Sequence, residues 1–425
     1  MKFRIRTIFA GAALSAAVVM GPLAAQQPTE KAPAYGPELE GFDYPFPVQH
    51  FAFTSQRQSL QMAYLDVKPD RPNGQTAVLL HGKNFCAATW EPTIKDLVAA
   101  GYRVIAPDQI GFCKSSKPAA YQFTFKQLAG NTHELLAKLG IEKPIVVGHS
   151  TGGMLAAHYA LIYPKDVSRL VLVNPVGLED WSAKGVPPIS VDQWYARELK
   201  TNADGIRAYE KSTYYAGKWE DRYERAVDML AGLNNGPGKE AVAWDSALIY
   251  DMIITQPVVY RFGEISVPTL LMIGQKDTTA IAKDFAPPEL RSKLGNYPEL
   301  GKAAAKAIPG AKLVEFPEFG HAPQDDGPRR LRQGADRGHL QVLSPGVCFR
   351  RRAATASRRR TTNAQGFEIA KRGQIRIFSF LDELLLAVGS RDRKDGPSVV
   401  LGGLVWTPGI TVPLTLQASA DEAIE

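Results

Sequence analysis

Residues 148–152 constrain the fold more than any other part of this chain. They read Gly148-His149-Ser150-Thr151-Gly152 and fit the pattern G-x-S-x-G. The motif follows an apolar run at residues 144–147 and precedes a helix-like segment at residues 154–160. Such a serine sits on a sharp turn between a strand and a helix, where only glycine fits on either side. We therefore predict that Ser150 projects from the edge of a sheet beside a helix N-terminus, whose dipole favours developing negative charge. The alternative is a glycine-rich turn without a chemical role.

The rest of the body alternates strand and helix patterns. Helical spacing is found in residues 94–100 and 125–139. A hairpin is predicted at residues 46–54 and 61–67, and apolar strand patterns follow at 76–80, 102–106, 144–147, 170–173, 269–274 and 312–316. This alternation predicts an α/β fold with a mostly parallel sheet and helices on both faces.

About ninety residues separate the strands at 170–173 and 269–274, which is too long for one crossover helix. We interpret residues 177–265 as a helical cap inserted before the penultimate strand, with the core formed by residues 46–176 and 266–326. The cap is crowded with aromatic residues. Some rings must form the core of the cap, but together they predict a pocket for a small apolar or aromatic substrate.

Taken in order, the motifs resemble the α/β-hydrolase superfamily, in particular its capped members with a serine nucleophile. The resemblance covers residues 46–324 and rests on His81-Gly82, Pro107-Asp108-x-x-Gly111, the Ser150 motif, Gly274-x-x-Asp277 and Gly320-His321. It implies Ser150 as nucleophile, His321 as base and Asp277 as the acid that orients the base, in the order this superfamily uses. Glu179 and Asp180 are the rival acids, because some capped members take the acid from the preceding strand.

The resemblance also implies an oxyanion hole made by the backbone amides of Lys83 and Thr151. Asn84, His149 and Trp181 are candidate substrate contacts, although a structural role under the nucleophile is an alternative for His149. His81 is expected to pack beneath the loop. The side chain of Lys83 can reach substrate or simply be solvated.

A serine nucleophile points to esters, thioesters, lactones, amides or carbon–carbon bonds next to a carbonyl. We expect a carboxylic ester hydrolase, with a carbon–carbon bond hydrolase and a non-catalytic binding protein on the same fold as alternatives. The seven histidines are scattered and no C-x-x-C or H-x-x-x-H spacing occurs, so neither a metal nor another cofactor is expected.

The N-terminus predicts export. Residues 1–25 combine basic residues, an apolar stretch and small residues, which is typical of a secretory signal peptide cleaved after Ala25. An uncleaved anchor is the alternative. Residues 26–45 form an arm, and no stable membrane span is expected after cleavage. In a periplasmic or secreted protein, Cys86 and Cys113 either form a disulfide or stay as two buried thiols.

The family pattern breaks after Gln324. Residues 327–425 carry the chain's excess of basic residues, which gives a net charge of +7. Glycine and proline interrupt the helix expected there, and arginine clusters follow. We interpret this tail as a frameshifted C-terminus, with a disordered basic tail or a small extra domain as alternatives. The body itself is slightly acidic, so no nucleic-acid partner is expected unless the arginine-rich tail binds one.

Overall fold

The computed structural model describes residues 32–325 and the short strand pair Val400–Leu401 and Leu404–Val405. The predicted signal peptide, the start of the arm and the rest of the 327–425 tail lie outside the described residues. None of the helices in the described part has the length and apolar character needed to cross a membrane.

An eight-stranded sheet forms the centre of the fold, as the sequence predicted. Its strands follow one another in the order β1-β2-β4-β3-β5-β6-β7-β8, and β2 pairs antiparallel with both β1 and β4 while all other pairs are parallel. The strands are β1 (Val48–Ser55), β2 (Gln58–Val67), β3 (Thr76–Leu80), β4 (Arg103–Pro107), β5 (Ile145–His149), β6 (Arg169–Val173), β7 (Thr269–Gly274) and β8 (Lys312–Phe316).

Both faces of this sheet are buried. Val78 and Leu80 of β3 belong to one apolar cluster, whereas Ala77 and Leu79 belong to the cluster on the opposite face. The continuous apolar runs in the sequence follow from this double burial, since alternate side chains of a strand point to opposite faces. The helices of the core are α1 (Glu91–Ala99), α2 (Phe125–Lys138), α3 (Thr151–Ile162), α8 (Pro288–Arg291) and α9 (Tyr297–Ala307).

Four helices lie between β6 and β7. They are α4 (Val191–Glu198), α5 (Ala203–Tyr209), α6 (Glu224–Asn235) and α7 (Lys239–Thr255). Aromatic rings form much of the interior of this insert. Trp194 of α4 is fully buried and stacks on Tyr250 of α7 at 4.4 Å between ring centroids. Several of the aromatic residues therefore hold the insert together, as expected for a helical unit that needs its own core.

The N-terminal arm fastens this insert to the body. The backbone N–H of Tyr35 donates to the carbonyl of Gly232 in α6 at 2.9 Å, and the amide of Asn235 donates to the carbonyl of Pro33 at 3.3 Å. Farther along the arm, the buried Leu39 accepts from the Lys114 ammonium at 3.0 Å through its carbonyl. The arm therefore contacts both α6 and the loop that follows β4.

We expect Gly232→Ala to lower the free energy of unfolding by about 1–3 kcal/mol, the usual cost of forcing atoms into a packed contact. A Cβ at this position would lie 2.2 Å from the Tyr35 ring, so the ring would have to leave α6. Urea unfolding of both proteins measures the difference. Gly205→Ala in α5 is the matched control, because its Cβ would meet nothing closer than 3.5 Å and alanine favours helices. Equal destabilisation by both substitutions would argue against an anchoring role for Tyr35.

Candidate active site

Ser150 occupies a strained turn between β5 and α3. Its φ is 55° and its ψ is −121°, in a region that residues with a side chain rarely adopt. Glycine is needed on both sides of it. A Cβ on Gly148 would lie 2.1 Å from the Gly152 carbonyl oxygen, and one on Gly152 would lie 2.1 Å from the Leu80 carbonyl oxygen. The turn lifts the Ser150 side chain beyond the carboxyl end of β5, at the start of α3.

The structure brings Ser150, His321 and Asp277 together from distant parts of the chain. His321 Nε2 lies 2.8 Å from Ser150 Oγ, and His321 Nδ1 lies 2.6 Å from Asp277 Oδ2. All three side chains are almost completely buried. With Nδ1–H donating to the carboxylate, Nε2 is free to accept the serine proton. The hydroxyl, the imidazole and the carboxylate therefore form one continuous hydrogen-bonded relay.

Asn174 and Thr279 fix the carboxylate of this relay. The amide of Asn174 donates to Asp277 Oδ2 at 2.7 Å, and the Thr279 N–H donates to Asp277 Oδ1 at 2.8 Å. Asn174 also accepts from the Gly274 N–H at 3.0 Å. Its φ of 38° is one that asparagine tolerates better than most residues. The sequence analysis did not assign Asn174 to the site, and an asparagine directly after a buried strand was the available signal.

Neither rival acid contacts His321. Glu179 accepts from the Trp181 indole N–H at 3.1 Å and the Gly295 N–H at 2.8 Å, and it pairs with Lys184. Asp180 accepts from the Tyr260 hydroxyl at 2.9 Å. Both carboxylates therefore have other hydrogen-bond partners. The geometry favours Asp277 over them as the acid that contacts His321.

The two residues predicted to supply oxyanion donors, Thr151 and Lys83, belong to segments that adjoin Ser150. Thr151 is the first residue of α3, so its N–H has no acceptor within the helix. Lys83 follows Gly82, whose Cβ would lie 3.0 Å from the Ser150 Cβ if it had one. The loop therefore passes directly against the serine. His81 holds this loop in place, because its Nδ1 lies 2.9 Å from the Gly82 carbonyl and its Nε2 accepts from the Gln109 N–H at 3.1 Å.

Two of the predicted substrate contacts, His149 and Trp181, lie outside the cavity described below. His149 is buried and donates through Nε2 to the His321 carbonyl at 2.8 Å, so it supports the backbone of His321. Burial, together with the nearby His321 ring, lowers the pKa of His149 well below its usual value, which keeps the ring neutral. Trp181 is buried in the apolar core and bonded to Glu179. Neither residue lines the cavity described below, and only Asn84 of the three does.

A disulfide joins Cys86 and Cys113, with 6.0 Å between the Cα atoms. It connects the segment just after Lys83 to the loop after β4. The disulfide thereby limits the movement of the loop that carries Lys83. Among the described residues, these two cysteines and Asp108 are the one group with the spacing of metal ligands. The disulfide occupies both sulfur atoms, and Asp108 accepts from the Tyr44 hydroxyl at 2.6 Å and the Ala87 N–H at 2.7 Å.

A turn of the helical insert between β6 and β7, the segment predicted as a cap, supports the loop that carries His321. Residues Glu210–Tyr214 form a π-helical turn, a geometry that is frequent at functional sites. The carbonyl of Thr213 accepts from the His321 N–H at 3.0 Å, and the Tyr214 ring packs 5.0 Å from the His321 ring. Gly320 is required here, because a Cβ would lie 2.4 Å from the Thr213 carbonyl oxygen. The cap thus contacts the base of the relay directly.

The carboxyl group of Glu210, in this turn, has no hydrogen-bond partner among the described residues. The Glu210 side chain is fully buried. Burial, followed by the negative charges of Asp325 and Glu224, raises the pKa of Glu210 to about 8. At neutral pH the folded protein therefore holds Glu210 in its protonated form next to the His321 loop.

We expect Glu210→Gln to change how stability depends on pH. In the unfolded chain a glutamate titrates near pH ~4.3. Between that pH and about 8 the folded protein holds a proton that the unfolded chain has released, so the free energy of unfolding falls as the pH rises. Glutamine removes this dependence. The free energy of unfolding of the variant should match that of the wild type at pH ~4 and exceed it at pH ~8 by a few kcal/mol. The difference should grow by about 1.4 kcal/mol per pH unit.

Urea unfolding at several pH values in that range measures this difference. The exposed Glu289→Gln serves as control and should show no such trend. A difference between the Glu210→Gln variant and the wild type that is constant across the range would mean that Glu210 is already ionised in the folded protein.

A cavity of about 560 Å³ lies between the cap and the body. Asn84 and Phe85 line it, and both also contact Tyr214, which packs on His321. Ser150 and His321 are not among the described residues that line it, and Ser150 is only 5% exposed. Tyr214 therefore contacts two residues of the cavity lining as well as the His321 ring.

A buried ion pair crosses from the body to the cap at this cavity. The Lys83 ammonium donates to Glu198 at the end of α4 at 2.9 Å, and the Ser246 hydroxyl of α7 donates to the same carboxylate at 2.6 Å. The Lys83 ammonium also lies 4.0 Å from the centre of the Tyr250 ring. From the sequence, the Lys83 side chain was expected either to contact substrate or to be solvated. Its pairing with Glu198 was not predicted. No local pattern in the sequence connects positions 83 and 198.

Comparison with known proteins places this geometry in a family. The sequence model of the alpha/beta hydrolase fold matches residues 77–328. Lipase 1 of Psychrobacter immobilis is 30% identical over 257 residues, which are 59% of this chain and 72% of the lipase. A 2-hydroxy-6-oxo-6-phenylhexa-2,4-dienoate hydrolase of Burkholderia cepacia is 25% identical over 268 residues, which are 60% and 84% of the two chains.

A solved structure covers more of the chain. The crystal structure of a probable hydrolytic enzyme from Pseudomonas aeruginosa PAO1 is 61% identical, covers 74% of this chain and 100% of its own, and has a TM-score of 0.71. The family match spans more than half of the chain and contains Ser150, Asp277 and His321. The chain belongs to the α/β-hydrolase fold family.

Proposed function

We propose that this protein is a serine hydrolase that cleaves a small carboxylic ester. The observation that carries the proposal is the relay in which His321 joins the Ser150 hydroxyl at 2.8 Å to the Asp277 carboxylate at 2.6 Å. A serine hydroxyl is a weak nucleophile unless a base removes its proton, and this geometry supplies the base. Ser150 lies on a strained turn at the carboxyl edge of a parallel sheet and is only 5% exposed, so the proposal requires side-chain movement near Tyr214 to admit the substrate.

The proposed reaction has two halves. His321 accepts the Ser150 proton while Oγ attacks the ester carbonyl, and the resulting oxyanion accepts hydrogen bonds from the amides of Lys83 and Thr151. His321 then gives its proton to the departing alcohol and an acyl-enzyme remains. Water, activated by the same imidazole, attacks the acyl group and releases the acid. Asp277 keeps the imidazole in the required tautomer and stabilises its protonated form.

The relatives and the N-terminus support this proposal. A lipase is among the relatives at 30% identity. We also propose that the protein acts in the periplasm or outside the cell, because residues 1–25 have the composition of a secretory signal. The Cys86–Cys113 disulfide is consistent with an oxidising compartment. The aromatic interior of the cap supports an apolar or aromatic part in the substrate.

Labelling with a fluorophosphonate and a panel of p-nitrophenyl esters test the proposal. We expect the mature protein to react with one equivalent of the probe, and peptide mapping should place the adduct on Ser150. Short-chain esters should be hydrolysed with a burst of p-nitrophenol if deacylation is slow. Absence of both labelling and hydrolysis would instead favour a binding protein on the same fold.

A carbon–carbon bond hydrolase is the second candidate. The observation in its favour is the Burkholderia cepacia relative, which is named for a dienoate substrate and aligns over 84% of its length. The same serine, histidine and aspartate would serve that reaction. Loss of the absorbance of 2-hydroxy-6-oxo-6-phenylhexa-2,4-dienoate, with no turnover of any ester in the panel, would identify this activity instead.

A further inference from the structure

The wall of the cavity carries more positive than negative charge. Among the described residues that line it, five are lysine or arginine and two are aspartate or glutamate. The cationic residues are Lys83, Lys117, Arg197, Lys200 and Lys283, and the acidic ones are Glu198 and Asp284. Glu198 is neutralised by Lys83 and also accepts from Ser246. The remaining charge favours an anionic group in the cavity.

Arg197 is the cation best placed to bind such a group. It lies in the last turn of α4, and its guanidinium packs 5.4 Å from the centre of the buried Trp194 ring and 5.6 Å from that of Tyr250. These cation–π contacts restrict the movement of the guanidinium, which reduces the entropy lost on binding. The same Tyr250 ring contacts the Lys83 ammonium at 4.0 Å, so the side chains of Arg197 and Lys83 meet at one ring in the cavity lining.

The present partner of Arg197 leaves room for a ligand. One of its five N–H groups donates to Asp284 at 2.9 Å. The Asp284 side chain is 74% exposed, and an exposed pair of this kind contributes little stability. A carboxylate can therefore replace Asp284 or join it, and a guanidinium can bind a carboxylate through two parallel hydrogen bonds.

Another part of the cavity lining is apolar. It includes Met229 and Leu233 of α6, Ile249 of α7 and Phe112. We propose that the substrate is an ester with an apolar segment that ends in a carboxylate, and that Arg197 binds this carboxylate. This inference rests on the proposed ester hydrolase and names the substrate class of that site.

Two matched pairs of esters test the inference. The p-nitrophenyl ester of hexanoic acid and the mono-p-nitrophenyl ester of adipic acid differ only in a terminal carboxylate on the acyl chain. The butanoyl esters of methyl 4-hydroxybenzoate and of 4-hydroxybenzoate place the same difference on the alcohol. In at least one pair, we expect the wild type to prefer the carboxylated member at low salt, and added NaCl to reduce that preference because it screens the charge.

Arg197→Gln should lower kcat/KM for the preferred carboxylated ester by about ten- to a hundredfold, the usual cost of losing a charge-assisted hydrogen bond, and leave its neutral partner within about twofold. Arg197→Lys keeps the positive charge but lacks the planar guanidinium. Its kcat/KM for the carboxylated ester should lie between that of the wild type and that of Arg197→Gln. Arg261→Gln removes an equal charge from a residue that does not line the cavity, and it should leave the preference unchanged. Preference for the neutral ester in both pairs, or an equal effect of Arg197→Gln on both members, would overturn the inference.

Binding to the Ser150→Ala protein separates this inference from the proposed function. Calorimetry should show that monomethyl adipate binds and that Arg197→Gln in this background weakens its binding about tenfold, whereas dimethyl adipate is unaffected. If the wild type hydrolyses no ester, the proposed function fails while this experiment still decides the role of Arg197. Equal binding of monomethyl adipate with and without Arg197 would overturn the inference even in an active esterase.

Discussion

Replacing Ser150 with alanine should lower kcat for ester hydrolysis by about 10⁴- to 10⁶-fold, the range found when the nucleophile of such a relay is removed. The substitution deletes the oxygen that His321 contacts at 2.8 Å, so no acyl-enzyme can form. The proposed oxyanion donors and the cavity remain, because the roles proposed for Lys83 and Thr151 involve their backbone N–H groups. A small residual rate above the uncatalysed reaction is therefore expected.

The comparison is made with initial rates on the best p-nitrophenyl ester and with fluorophosphonate labelling. Ser182→Ala is the matched control, since Ser182 is an exposed serine in the turn after Trp181, and it should leave both readouts unchanged. Circular dichroism should show that the Ser150→Ala protein is folded. If this variant keeps more than a tenth of the activity, Ser150 is not the nucleophile and the proposed mechanism is wrong.

The sequence was sufficient to predict the mostly parallel sheet and the turn between a strand and a helix that carries Ser150. The central parallel strands are buried on both faces, so each of them appears in the sequence as an apolar run, such as Leu170–Val173. The turn that carries Ser150 can also be recognised in the sequence. Gly148 and Gly152 have no room for a Cβ, and this steric requirement leaves a local signature.

The surroundings of the relay could not be predicted in the same way. Asn174 lies about a hundred residues before Asp277, and Lys83 lies farther still from Glu198. Contacts between side chains at such separations depend on the packed fold and follow no period in the sequence. His149 shows the same limit. The sequence left a substrate contact and a structural role open for this residue, and the packed fold turns its ring towards the His321 carbonyl.

The aromatic residues of the cap also mislead when they are taken singly. Trp181 follows the end of β6 and was predicted to contact substrate, but it lies within the apolar core. Trp194 does affect the cavity, although indirectly, since it stacks on Tyr250 and supports Arg197. Composition alone indicates that a cap needs many rings to fill its interior. Which ring faces the cavity is decided by the helix packing.

Replacing Asp277 with asparagine should lower kcat by about 10⁴-fold while leaving the fold intact. Both carboxylate oxygens of Asp277 accept hydrogen bonds, from Asn174 and His321 on Oδ2 and from the Thr279 N–H on Oδ1. An asparagine has one acceptor oxygen, so its NH₂ group must face a donor in either orientation. If the NH₂ group lies at the Oδ2 position, it donates to His321 Nδ1 and forces the proton onto Nε2, the nitrogen that must accept from Ser150. If it lies at the Oδ1 position, it opposes the Thr279 N–H, and the imidazolium formed during the reaction loses its negative partner.

Single-turnover and steady-state rates on the same ester, measured across pH, distinguish this loss from unfolding. Asp180→Asn is the control, because Asp180 is a rival acid and bonds to Tyr260 instead of His321, so its rate should stay within about threefold of the wild type. The Asp277→Asn rate should recover partly at high pH, where hydroxide can remove the serine proton without a correctly oriented imidazole. The assignment of the acid would change if Asp277→Asn kept a tenth or more of the wild-type kcat while Asp180→Asn was strongly impaired. Asp180, after β6, would then be the acid that orients His321.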